Sequence, residues 1–131
     1  MAHLGAEEAL PPLPVATDEA GADEALPSLL AAIGKVDVAV CASDELALRL
    51  LHVLVWRRVR VPQDLAVVGW GGSAAADYVV PRLTTVRDRS RELGELAAAR
   101  LRARLAGDDA GDQPQTLRGE VVWRESTGRP G

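Results

Sequence analysis

Apolar positions along the chain come in short runs separated by polar turns, and run length assigns most of them. Leu65-Ala66-Val67-Val68-Gly69-Trp70 is almost wholly apolar, too short for an ordinary helix, and ends in glycines at Gly71 and Gly72. It reads as a strand covered on both faces, with a sharp turn at its carboxyl end. Asp37 to Cys41 reads as a second short buried strand. Between the two, Ser43 and Asp44 can cap a helix, and Asp44 and Glu45 suit its positive end. That helix runs to about Arg57, with Glu45, Arg49 and His52 as a narrow polar stripe and nearly everything else apolar. So wide an apolar face needs cover from more than one side, such as a sheet and a second subunit.

The flanking segments follow the same logic. Asp18 to Ile33 is helical in pattern and stops at Gly34, with Pro27 requiring that the helix begin near it or kink there. Ser73 to Tyr78 is a brief Ala-rich segment stopped by Pro81, and Leu83 to Val86 is a strand or extended crossing. A helix follows from Ser90 to Leu105, with Leu93, Leu96, Ala97, Leu101 and Leu105 along one face. After a polar loop from Gly107 to Pro114, Thr116 to Glu125 alternates as a final strand, Val121 and Trp123 sharing a face. The order predicts an α/β fold, a mostly parallel sheet with helices on both faces. Ligands of such sheets sit beyond the carboxyl ends of the strands.

Composition narrows the function. A chain of 131 residues fits one domain, and 47% hydrophobic residues, mostly Ala, Val and Leu with no Phe, can fill a core. A net charge of −4 supplies no basic field for non-specific nucleic-acid binding. The single Cys41 excludes an internal disulfide and reads as a small buried thiol. His3 and His52 do not suggest a metal site, and no cofactor is implied. No signal segment or membrane-length run is evident, which predicts a cytoplasmic protein. Residues 1–17, broken by Pro11, Pro12 and Pro14, read as a tail or the remnant of something larger, leaving 18–131 as the folded part.

Candidate chemistry is sparse. Gly69-Trp70-Gly71-Gly72-Ser73-Ala74 fits the dinucleotide fingerprint G-x-G-x-x-G/A, with Asp88 near the expected distance. Only about eight residues separate the glycines from Pro81, however, and a crossover with its helix needs at least roughly 10–12. No serine stands in a G-x-S-x-G setting, and the pair Asp108-Asp109 reads as solvated loop charge. Arg57, Arg58 and Arg60 suit the negative end of the preceding helix better than a phosphate. No catalytic constellation is visible, so no enzyme is expected; a dinucleotide-using enzyme built on the glycine loop is the remote alternative.

Several motifs in register say more. Ala39-Val40-Cys41-Ala42-Ser43-Asp44 before Leu46-Ala47-Leu48, then Arg60-Val61-Pro62-Gln63-Asp64-Leu65-Ala66-Val67-Val68-Gly69-Trp70, then Tyr78, Pro81, Leu83-Thr84-Thr85-Val86-Arg87, Glu92-Leu93-Gly94 and Arg124-Glu125-Ser126-Thr127 follow one another. In order and spacing this resembles the effector-binding domain of the lactose-repressor/galactose-repressor (LacI/GalR) family of bacterial transcriptional regulators, over roughly Asp18 to Pro130.

The resemblance implies a type I periplasmic-binding-protein-like fold, here incomplete, without the first lobe and the helix-turn-helix head. It implies a regulator in which a small effector, a sugar or nucleobase, closes two lobes and resets a homodimer that touches DNA only through the head. Carried over residue by residue, it places Ser43, Asp44, Trp70, Gly71 and Ser90 at the effector, and Leu48, Leu50 and Tyr78 at the dimer contact. The chain departs from the family pattern at its site. Ser43-Asp44 stands for Asn-Asp, Gly71-Gly72 for a pair of carboxylates, and Ser90 for a common aromatic. A fragment of a solute-binding protein of the same fold is the nearer alternative, disfavoured by the missing signal segment.

Overall fold

The computed structural model of the chain describes residues 27–107 and 114–128. The prolines of the amino-terminal tail and the Asp108-Asp109 pair lie outside them, as does most of the predicted Asp18–Ile33 helix. Its described part, α1, is residues 27–32. Strand β1 (Val38–Val40) leads into α2 (Asp44–Trp56), and β2 (Ala66–Trp70) into a short 3₁₀ turn at Ala74–Asp77. Then come β3 (Thr84–Arg87), α3 (Ser90–Leu105), β4 (Glu120–Val122) and a 3₁₀ turn at Glu125–Thr127.

The four strands form one sheet in the order β1-β2-β3-β4. β1 and β3 flank β2 in parallel, with Val40 opposite Val68 and Val68 opposite Thr84. β4 runs antiparallel on β3, with Val86 opposite Val121 and Arg87 opposite Glu120. The alternation around Val121 therefore gives a strand of only three residues, and both Val121 and Trp123 remain exposed.

Side chains alternate across a strand, and registered neighbours share a face. Val67, Gly69 and Thr85 thus face α2. Ala47, Leu50, Leu51 and Leu54 of α2 join Leu65, Val67, Ala76 and Leu83 in the core, with Leu29, Leu30 and Ile33 packed against it. The wide apolar face of α2 is accordingly used mostly within the chain. Leu50, assigned from sequence to a subunit contact, is 7% exposed and part of this core.

The opposite face carries Val38, Val40, Val68, Thr84 and Trp70. Helices were expected on both faces. Among the described residues the second face is instead covered, over Thr84, by the carboxyl-terminal turn. The Ser126 hydroxyl, fully buried, donates to the Val67 carbonyl (2.6 Å) and accepts from the Thr84 N–H (2.8 Å). Arg124 donates to the Leu83 carbonyl (2.8 Å) and pairs with Asp77 (2.7 Å). Arg82 holds Glu125 through its guanidinium (2.5 Å). Beside this patch Val38 and Val40 stay open to solvent. α3 buries none of its side chains.

The turn before β2 is closed by its own charges. Arg60 donates to Asp64 through its backbone N–H (2.8 Å) and its guanidinium (2.5 Å), and the Asp64 N–H returns to the Arg60 carbonyl (2.8 Å). The Arg60 guanidinium, then the Arg60 amide, hold the Asp64 carboxyl down to about 2. A lowered carboxyl pKa stabilises the fold above the unfolded value, and that contribution fades as pH falls towards 2. Burial pushes the Cys41 thiol up to about 11, which keeps it protonated and unreactive at neutral pH.

Candidate functional site

Three parallel strands deliver their carboxyl ends to one edge of the sheet: β1 to Cys41–Asp44, β2 to Gly71–Ser73, and β3 to Asp88–Ser90. Ser43 is the N-cap of α2, its hydroxyl oxygen accepting from the Leu46 N–H (3.2 Å). This leaves the next side chain, Asp44, directed into the sheet. Asp44 is 4% exposed. Its Oδ1 accepts from the Thr85 hydroxyl (2.5 Å) and its Oδ2 from the Ser73 N–H (2.6 Å). Thr85 Oγ1 in turn accepts from the Gly72 N–H (3.2 Å), and the Gly71 N–H donates to the Val86 carbonyl (2.9 Å).

One buried carboxylate therefore ties the segments that follow β1 and β2 to Thr85 within β3. The first turn of α2 suits its negative charge. Space for it comes from Gly69, where a Cβ would run into Asp44 Oδ1 and lie 3.0 Å from Leu83 Cδ2. Gly71 (φ +126°) and Gly72 (φ +70°) adopt backbone conformations that side-chain-bearing residues rarely hold.

The sequence-derived site residues are only partly brought together. Ser43, Asp44 and Gly71 share the edge, a Cβ on Gly71 lying 3.8 Å from Asp44 Oδ2. Both Asp44 oxygens already have partners in the fold, so its visible work is to fix the loop. Trp70 follows Gly69 by one residue and so projects from the opposite face, 48% exposed. Ser90 opens α3, its N–H donating to Asp88 Oδ1 (3.2 Å). It lines an open cleft of about 570 Å³ with Arg87, Asp88, Arg89, Arg91, Glu92, Arg118 and Glu120.

Thr85, Ser73 and Gly69 stood in the sequence motifs but were not among the expected site residues, although a glycine inside a strand is a signal of close approach. Arg118 gave no signal at all, since the β3–β4 pairing alone brings it near Arg87.

The glycine loop leads into the four-residue 3₁₀ turn Ala74–Asp77, not an α-helix. The helix terminus on which a dinucleotide's pyrophosphate would rest is therefore not formed there. Among the described residues no three His, Cys, Asp or Glu side chains are grouped to hold a metal ion, and no helix is long and apolar enough to cross a membrane.

The periplasmic binding protein-like domain family matches residues 2–127. The lactose operon repressor of Rhizobium radiobacter is 33% identical over 103 residues, covering 79% of this chain and 90% of the relative. This chain belongs to the LacI/GalR family. The HTH-type transcriptional regulator GntR of Pseudomonas aeruginosa is 35% identical over 99 residues, 76% of this chain and 29% of that regulator. Among solved structures, a LacI family regulator from Arthrobacter sp. FB24 in complex with lactose superposes with a TM-score of 0.66 at 31% identity. That match covers 82% of this chain and 40% of the other. The chain thus spans well under half of most regulators it matches, and within them it corresponds to part of the LacI/GalR effector-binding domain.

Proposed function

We propose that this chain forms the ligand-reading edge of a ligand-responsive, non-enzymatic transcriptional regulator, and that its effector is a small hydroxylated molecule. The observation that supports this is the Asp44 network, which joins the segments after β1 and β2 to Thr85 of β3 in one fixed arrangement beside an open cleft. Such an edge can bias a two-state switch through differential affinity for a ligand. DNA contact, and with it a cytoplasmic setting, would belong to a head outside the described residues. The Arthrobacter regulator is in complex with lactose and the regulator CelR is in complex with cellobiose, so these two sugars are the first probes. Either sugar should shift the amide resonances of Ser43, Gly71 and Ser90 and the Trp70 indole in a titration of the isotope-labelled chain. If the Trp70 ring stacks on the sugar, Trp70→Ala weakens binding by about 1–3 kcal/mol. Unmoved resonances with these sugars and with charged and nucleobase probes would sink the reading.

We further infer a homodimer, built on a surface smaller than the sequence suggests. Leu48 is only half-buried, whereas Trp56, Tyr78 and Val80 are 76%, 85% and 89% exposed at the end of α2 and after the 3₁₀ turn. Trp56 Nε1–H donates to His52 Nε2 (3.0 Å), which fixes the indole against the helix. Exposed apolar patches of this kind mark protein contacts, and aromatic anchors carry much of their energy. Trp56→Glu combined with Tyr78→Glu should convert a sedimenting dimer to monomer with the fold intact. Leu50→Asp should unfold the chain instead. A wild-type chain that stays monomeric at high concentration would exclude this contact.

A further inference from the structure

The outer surface of α2 carries a histidine inside an apolar strip. Residues three and four apart on a helix are neighbours, so Leu48, Val55 and Trp56 adjoin His52. Val55 and Trp56 are 61% and 76% exposed. His52 is exposed and Leu48 half-buried. The Trp56 indole N–H donates to His52 Nε2 (3.0 Å), the two rings meeting edge to face at 67°. An indole N–H can only donate, so His52 Nε2 is here the unprotonated nitrogen of a neutral imidazole. The bond therefore exists in one protonation state of His52 and not in the other.

The ionisable groups around His52 are already engaged with one another. Arg49, one turn back, is paired with Glu45 (3.0 Å). Past the end of α2 come Arg57 and Arg58, and Arg60 is closed on Asp64 (2.5 Å). β2, on which α2 rests, has no ionisable side chain, and neither does α1. In the 3₁₀ turn after β2, Asp77 is held by Arg124 (2.7 Å), and Tyr78 brings a phenol. Among the described residues no carboxylate pairs with His52.

We propose that protonation of His52 opens the homodimer contact inferred above. The neutral imidazole holds the Trp56 indole in the position that a second copy covers, and the imidazolium releases it. This rests on the dimer reading and adds its regulation. A proton on Nε2 turns the acceptor into a donor that faces the indole N–H, so the indole has to turn away. A two-fold contact brings the same strip from both copies, so the loss counts twice. Covering an imidazolium among Leu48, Val55 and Trp56 also removes its water without supplying an opposite charge. The monomer thus takes up the proton more readily than the dimer. Association is accordingly strongest above the titration range of histidine and is lost as pH falls through it.

The test is sedimentation equilibrium of the full chain at about pH 7.5 and about pH 5.5, at constant ionic strength. The dimer dissociation constant should rise about tenfold at the lower pH, one hydrogen bond being lost in each copy. His52→Gln keeps a side-chain acceptor that no proton removes over this range, so its dimerisation should not depend on pH. His52→Lys carries its charge throughout and should dimerise at the higher pH no better than wild type does at the lower. The Trp56 indole N–H resonance, assigned by its loss in Trp56→Phe, should follow the His52 ring protons along one titration curve. A histidine that only packs against the ring would leave the indole N–H unmoved.

A wild-type dimer of equal strength at both pH values would overturn the switch and leave the dimer standing. A pH dependence that survives in His52→Gln would assign the titration, or a partial unfolding, to other groups and would equally overturn it. A chain that is monomeric at both pH values and at high concentration would remove the dimer and the switch together.

Discussion

Asp44→Ala should cost about 3–5 kcal/mol of folding stability, a large share of what holds the fold together. The carboxylate is 4% exposed and accepts from the Thr85 hydroxyl and the Ser73 N–H. Its removal leaves two donors at the strand ends without partners, and each hydrogen bond to a charged group contributes roughly 1.5–3 kcal/mol. The cavity left between Gly69 and α2 adds to this. Small domains are stable by only about 5–15 kcal/mol in total, so the variant should show a large fall in denaturation midpoint. Asp44→Asn keeps the volume and one acceptor and should lose less. Thr85→Val removes a single donor and should cost about 1–2 kcal/mol. The pair Asp44→Ala with Thr85→Val should be clearly non-additive, as expected for residues in one network. An Asp44→Ala midpoint within about 1 kcal/mol of wild type would mean that the loop is held by something else.

This network shows how far the sequence reaches and where it stops. The boundaries of α2 and β2 were legible because the Ser43-Asp44 cap and the apolar run are local signals, and the structure places both elements within a residue or two. The role of Asp44 was not legible. An acidic residue at a helix start is equally suited to the dipole, to a ligand or to a buried bond. Which one operates depends on Thr85, 41 residues away. The place of Leu50 in the core was not legible for a related reason: periodicity reports that a helix is apolar over a wide arc, but not which part of the arc meets the chain's own core. The carboxyl-terminal turn was invisible as a structural element. Ser126 and Arg124 act through hydrogen bonds to the backbone of β2 and β3, and such bonds leave no hydrophobic pattern. The cleft arginines are scattered from 87 to 118 and meet only through the antiparallel register of β3 and β4. Family membership was legible because it rests on motifs in order, which need no three-dimensional knowledge.

Hydrogen exchange should divide the two long helices by orders of magnitude. α2 places Ala47, Leu50, Leu51 and Leu54 in the core, so its central amides open only with the whole domain. α3 has the same helical regularity over Ser90–Leu105, and its Arg91–Glu95 and Arg89–Glu92 pairs support it locally. Yet none of its side chains is buried, with Leu93, Leu101 and Leu105 at 53%, 59% and 80% exposure. An isolated helix of this length is marginal in water, because nucleation is costly and each exposed ion pair adds at most about 0.5 kcal/mol. Opening α3 should therefore require little free energy, against at least about 5 kcal/mol for α2. With about 1.4 kcal/mol for each tenfold step, the protection factors should differ by a factor of about 10³ or more. The uncovered leucines also predict self-association: exposing a large apolar side chain forfeits roughly 1.5–3 kcal/mol, which a second molecule can recover by covering it. Leu101→Glu with Leu105→Glu should then reduce aggregation without lowering the unfolding midpoint of the α2 core. Protection across Leu93–Leu105 equal to that of α2 in a monomeric chain would mean that α3 packs against a surface of its own molecule in solution.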